Sequence, residues 1–170
     1  MGREDEGSVN KKIIAWKWIP ADMKMRHRYD GRKFKTGVTQ RLSEDRGKKE
    51  DSIPMLCRTG FHACRELLQT AEFIGYGSRL ALVELSGNWT EYKKTDVAYE
   101  AKVCATRIKV LANFDSEKID FDSETTLHIA ATSFKNGGTA RWRHISKLLR
   151  QNMRQALSAR GLPSSILPAR

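Results

Sequence analysis

The chain has 170 residues and a formal net charge of +11, from 31 lysines and arginines against 20 acidic residues. A chain of this length forms one domain, or one domain with an appendage, and can bury about two thirds of its unfolded surface without disulfides or metals. It contains no apolar run near the ~18 residues that a bilayer-spanning helix needs, and its first residues lack the apolar core of a signal peptide, so we expect no membrane contact.

The N-terminal segment predicts a tail and then a strand. Residues 1–12 are polar and are expected to form a flexible tail. In the segment that follows, Ile14, Trp16 and Trp18 lie at every second position, which is typical of a β-strand, and Pro20 ends the pattern. The folded domain is therefore expected to begin near residue 13.

The middle of the chain alternates strand-like and turn-like segments. Residues 40–52 are densely charged and predict an exposed loop. Residues 63–73 have apolar positions near helical spacing, whereas residues 79–85 and 97–111 favour strands, the first of them closed by a serine–glycine–asparagine turn. This order predicts an α+β domain over residues 13–112, with a mostly antiparallel sheet and one or two short helices.

The last part of the chain, residues 113–170, has a different composition. No acid follows Glu124, whereas eight bases do, so +8 of the net charge of +11 lies in the last 46 residues. Thr139 follows an Asn-Gly-Gly turn and is suited to cap a helix that runs to Arg160, with Gly161 suited to end it. We therefore predict a C-terminal basic amphipathic helix after the α+β domain.

The predicted helix has an apolar face and a basic stripe. The stripe consists of four bases at helical spacing, namely Arg143, Lys147, Arg150 and Arg154. Aligned cations can neutralise successive phosphates, whereas solvated helix faces usually carry both signs of charge. We predict that these four residues contact a polyanion, with nucleic acid or an acidic protein as the partner. The alternative is the solvated face of an ordinary docked helix.

The stretch LCRTGFHACRELL holds two thiols and an imidazole within eight residues. Cys57, His62 and Cys64 are candidate metal ligands. Zinc sites, however, commonly use two cysteines with two to four residues between them, and here six residues lie between the cysteines. A cysteine nucleophile would need an activated thiolate and an oriented imidazole. A structural interpretation fits better, in which Gly60 allows a close approach while Phe61 and Cys64 enter the core. We expect no metal and no cofactor.

Two carboxylates lie between apolar residues in strand-like segments. Glu84 and Glu100 could have their pKa values raised by burial, as catalytic acids often do, or could equally face water. The sequence contains no glycine-rich phosphate loop and no metalloprotease or serine-hydrolase motif. The three cysteines, an odd number without an export signal, are expected to be reduced thiols inside a cell.

Five short segments carry a resemblance to a known group of proteins: Ala15–Trp18, Phe34–Gly37, Leu56–Cys64, Val83–Gly87 and Thr106–Leu111. With these segments the chain resembles an uncharacterised domain family of phages and prophage-like loci, in which the L-C-x-x-G-F-H-A-C run is the distinctive motif. The resemblance implies a phage-type accessory protein, in the cytoplasm of the host cell or in the virion, and carries no activity or oligomeric state. A structural virion protein is a second interpretation.

The order of elements also has a distant similarity to mono-ADP-ribosyltransferases. Those enzymes have an arginine at the end of the first strand, a Ser-Thr-Ser-like run and a catalytic glutamate. Here Trp16-Lys17-Trp18 ends the first strand, His62-Ala63-Cys64 stands where the serines would be, and Glu100 is the candidate glutamate. The similarity implies an enzyme, whereas the two departures favour a non-enzymatic binding protein.

Overall fold

A computed structural model describes residues 11–25, 32–42, 60–67, 69–70, 79–92, 102–114, 119–126 and 140–167. Within these ranges the elements are β1 (Ile13–Ile19), β2 (Thr39–Arg41), β3 (Phe61–Ala63), β4 (Arg79–Tyr92), β5 (Lys102–Phe114), β6 (Ile119–Phe121), helix α1 (Ala140–Ala159) and a 3-10 turn (Ser164–Ile166). The strands form one sheet in which each pair of named strands is antiparallel. The predicted antiparallel sheet is therefore confirmed.

The two long strands, β4 and β5, organise the sheet. β5 pairs with β4 along one edge and with β3, β2 and β6 in succession along the other, while β1 pairs with the first half of β4. The far edge of β1 then meets the end of β3, because Trp16 and Cys64 exchange two backbone hydrogen bonds of 2.6 and 2.8 Å. Strands β1, β4, β5 and β3 therefore form a closed ring, which pairs strand edges that would otherwise be open.

Side chains of the sheet enter two apolar clusters, one on each face. In β4, Leu80 and Leu82 belong to the cluster on the α1 side, whereas Ala81, Val83 and Leu85 belong to the cluster on the ring side. Successive residues of a strand point to opposite faces, so both faces of this strand are buried. The α1-side cluster also contains three residues of the helix, namely Leu149, Met153 and Leu157.

Strand β4 is longer than the sequence predicted. It continues through the expected serine–glycine–asparagine turn to Tyr92, with a register shift between Ser86 and Trp89. Gly87 has φ +77°, and a Cβ there would lie 2.3 Å from the hydroxyl of Thr106, which accepts a hydrogen bond from the backbone of the next residue. The turn signal thus produces a β-bulge that lets the strand bend without ending.

The helix predicted from residue 63 is wrong at its start. Ala63 is the last residue of β3, and Cys64 is held extended by its two backbone bonds to Trp16. The turn begins only afterwards, where the N–H of Thr70 donates to the carbonyl of Leu67 (3.1 Å). The remainder of the predicted helix, from residue 71, lies outside the described residues, as do the predicted tail up to residue 10 and residues 43–52 of the predicted charged loop.

The sheet crosses the boundary predicted at residue 112, because β5 runs to Phe114 and pairs there with β6. Helix α1 then packs on the sheet and ends in a compact turn. Gly161, at φ +67°, donates its N–H to the carbonyl of Ser158 (3.0 Å), and Leu162 donates to the carbonyl of Leu157 (2.9 Å). These two bonds form a Schellman motif, which satisfies carbonyls at the helix end. In the part of the chain that is described, no helix has both the length and the apolar character needed to cross a membrane.

Candidate functional site

His62 and Cys64 of the distinctive motif lie where the ring closes. His62 in β3 is directly opposite Cys104 in β5, and Thr90 in β4 is opposite Cys104 on the other side, so the three residues form one row across three strands. Cys64 and Cys104 are buried cysteines, 3% and 0% exposed. Phe61 is 2% exposed, so its predicted burial and that of Cys64 are confirmed. Cys57 lies outside the described residues.

Lys17 of β1 is the charged group at this closure. Its Nζ donates a hydrogen bond of 2.8 Å to the carbonyl oxygen of His62. Burial lowers the pKa of Lys17 from 10.5 to about 8, an effect that electrostatic interactions with Cys64 and Cys104 partly oppose. A signal for this residue is present in the sequence: it lies at every second position with Ile13 and Ala15, which enter the ring-side cluster. The alternation of Ile14, Trp16 and Trp18 on the other face obscured that signal.

The closure serves structure more directly than chemistry. In the described part of the chain, no group of three or more His, Cys, Asp and Glu side chains is arranged to hold a metal ion. The metal hypothesis for Cys57, His62 and Cys64 stays a prediction, since its first ligand lies outside the described residues. Burial of both described thiols restricts their access to a substrate, so the motif supplies backbone pairing and core packing.

Several charged residues on the sheet already have partners. Glu84, one of the two candidate carboxylates, has its Oε2 3.3 Å from Nζ of Lys12. Arg65 forms a two-pronged ion pair with Glu91, with nitrogen–oxygen distances of 2.5 and 2.8 Å, and its guanidinium lies 5.9 Å from the ring centre of Trp89. Glu100, the candidate catalytic glutamate, lies outside the described residues, so its role stays a prediction.

The predicted basic stripe of α1 is divided by burial. Lys147 and Arg154 are exposed, whereas Arg150 is only 9% exposed and interacts with other groups of the protein. The reason is its position seven residues before the buried Leu157, since residues seven apart lie almost above one another on a helix. Arg150 therefore departs from the expected solvent-facing stripe. The side chain of Arg143 lies outside the described part.

Taken together, these features define a small α+β domain, in which an antiparallel sheet closes into a ring and a helix covers one face. Residues 13–120 match the family described as a domain of unknown function (DUF7666), and because the match covers more than half of the chain, the protein belongs to this family. No curated protein and no solved structure matches the chain. The predicted membership of an uncharacterised domain family is confirmed, and the phage association stays a prediction.

Proposed function

We propose that this protein is a non-enzymatic binding module that contacts nucleic acid through the outward face of α1. The observation that supports the proposal is the composition of that face. Lys147 and Arg154 are exposed, and neither forms an ion pair within the described part of the chain. Among the described side chains of this face, the other exposed hydrogen-bonding groups are neutral, namely Gln151, Gln155 and Ser158. Neutral polar groups beside cations suit contacts to phosphate and sugar.

The opposite face of the helix holds these cations in place. Leu149, Met153 and Leu157 are 8%, 0% and 0% exposed and belong to the same apolar cluster as Trp16 and Phe114 of the sheet. A helix anchored in this way presents its charges without an ordering cost for its backbone on binding. The two exposed cations are seven residues apart, or about 10.5 Å along the helix axis.

The charge of this region also supports the proposal. Because no acidic residue follows Glu124 in the sequence, the C-terminal segment contributes no carboxylate that could neutralise Lys147 or Arg154. Binding to phosphates releases condensed counterions, and it weakens as salt rises, with a logarithmic slope of roughly −0.9 per phosphate neutralised. In this proposal the protein acts as a phage-type accessory factor in the host cell, a setting that rests on the motif resemblance.

The test is fluorescence anisotropy with a short labelled DNA duplex over a range of salt concentrations. The double variant Lys147→Gln, Arg154→Gln should bind at least about tenfold more weakly at low salt, with the magnitude of the salt slope reduced by roughly 1.8. The matched control is Lys12→Gln, Arg65→Gln, which removes two charges that already have carboxylate partners. Unchanged melting temperatures establish that the variants fold. Equal losses in the two double variants, or no binding by the unmodified protein, would contradict the proposal.

A further inference from the structure

A second group of cations lies between β1 and β2, inside the region that matches the family. Lys24, Lys33 and Lys35 are exposed, and we propose that these three residues, the lysine surface, form a separate contact site for the phosphate backbone of a nucleic-acid duplex. The site lies in a different part of the chain from α1, because the family match covers residues 13–120 and α1 begins after them. It shares a class of partner with the function proposed above but does not depend on the helix.

Lys24 and Lys33 face each other across an antiparallel bridge. The hydrogen bonds lie on either side of this pair, from the N–H of Met25 to the carbonyl of Arg32 and from the N–H of Phe34 to the carbonyl of Met23, each 2.7 Å long. This pattern makes the two lysines a non-hydrogen-bonded pair, the arrangement in which opposite side chains come closest. Their Cβ atoms are therefore expected to lie about 4.5–5.5 Å apart.

Gln40 of β2 holds the neighbouring lysines in place. Its Nε2 donates to the carbonyl of Lys33 (2.7 Å), and its Oε1 accepts from the N–H of Lys35 (3.3 Å). Between the two lysines, Phe34 is 6% exposed and belongs to the ring-side cluster. Since alternate residues of an extended segment share a side, Lys33 and Lys35 point away from the core together.

The three lysines repel one another, and the described part of the chain provides no compensating charge. Like charges directly opposite on a sheet are destabilising, yet no carboxylate in the described part of the chain forms an ion pair with these lysines. The nearby Asp22 accepts a hydrogen bond from the backbone of Lys24 (3.0 Å), and no ion pair joins it to the ammonium group. By contrast, Nζ of Lys109 in β5 lies 2.8 Å from Oδ2 of Asp122. A polyanion would remove the repulsion at the lysine surface.

The chemistry around the lysines favours a duplex backbone as the partner. Neighbouring lysines of this surface are attached to the backbone at positions about 5–7 Å apart, so their side chains can reach successive phosphates of one strand. Binding of single strands commonly uses exposed aromatic rings as stacking platforms. Among the described residues, the exposed large hydrophobic side chain is Val38, which offers no ring. The contact is therefore expected to be independent of sequence.

The experiment compares three variants with the unmodified protein in the same anisotropy titration. Changing Lys24, Lys33 and Lys35 together to Gln should weaken duplex binding by at least about tenfold at low salt and reduce the magnitude of the salt slope by roughly 2.7. The matched control changes Lys11, Lys12 and Arg65 to Gln, which removes three charges that contact Trp89, Glu84 and Glu91. This control should retain most of the affinity. The third variant is the double change in α1 described above.

The outcomes separate the two sites. If the lysine variant binds like the unmodified protein while the α1 variant loses binding, the lysine surface is overturned and the proposed function stands. If only the lysine variant loses binding, the lysine surface is supported and the role of α1 is overturned. Binding to polyglutamate that depends on the lysines, with no binding to duplex, would overturn nucleic acid as the partner. Melting temperatures equal to or above that of the unmodified protein exclude misfolding, because removing like charges should not destabilise the sheet.

Discussion

The ring closure and helix α1 use chemically distinctive residues in opposite ways. At the closure, Cys64 and Cys104 are buried and Lys17 gives its hydrogen bond to a backbone carbonyl. On α1, simple bases such as Lys147 and Arg154 face solvent. Residues with the richest chemistry therefore support the fold, while residues with plain charge are accessible to a partner. Exposure, rather than reactivity, decides which groups of this protein can meet another molecule.

This comparison depends first on the docking of α1 against the sheet. Leu157→Ala should lower the free energy of unfolding by about 2–5 kcal/mol, because it removes a fully buried side chain and leaves a cavity in the α1-side cluster. Gln155→Ala, an exposed change on the same helix, should alter it by no more than about 0.5 kcal/mol. Urea denaturation of both variants measures the difference. Equal free energies of unfolding would mean that α1 does not dock on the sheet. The helix would then have no defined outward face.

Two glycines with positive φ sharpen the comparison between sheet and helix end. Gly87→Ala should destabilise the protein by about 2–4 kcal/mol, because the added Cβ meets the Thr106 hydroxyl at 2.3 Å in addition to the left-handed strain. Gly161→Ala should cost only about 1 kcal/mol, since nothing lies within 4 Å of its Cβ position. Thermal denaturation ranks the two variants. A Gly161 variant as unstable as the Gly87 variant would contradict this account of the bulge.

A variant of Lys17 tests whether the positive charge at the ring closure lowers the free energy of unfolding. Lys17→Met should raise the free energy of unfolding by about 1–2 kcal/mol at pH 7, because the fold disfavours the ammonium form, although the bond to the His62 carbonyl is lost. The pKa of Lys17 is about 8 in the fold and 10.5 ordinarily, so the penalty is complete below pH 8 and is relieved as the pH rises to 10.5.

The advantage of the Met variant should therefore shrink over the interval from about pH 8 to 10.5. Urea denaturation of both proteins at pH 7 and at successive values in that interval measures it. The groups that interact electrostatically with the amine are Cys64, Cys104 and Lys102, and all three are present in both proteins. An advantage that stays constant with pH would show that the charge of Lys17 has no part in it.

The local pattern of the sequence was sufficient for the antiparallel sheet and for much of the core. Period-two alternation placed β1, and burial of Phe61 and Cys64 followed from residue type. The local pattern misplaced the end of β4. A serine–glycine–asparagine segment does not show whether its glycine ends a strand or permits a bulge. The local pattern also extended a helix back to Ala63, because helical spacing of apolar residues does not reveal that a distant strand pairs with Cys64.

Neighbouring residues and composition were enough to predict the kinds of elements and the regional charge. Tertiary contacts set which side chains are buried by distant partners. The fold placed Lys17 near the thiols of Cys64 and Cys104 and buried Arg150. These outcomes depend on strand pairing and helix docking between residues far apart in the chain, and no local pattern encodes such contacts.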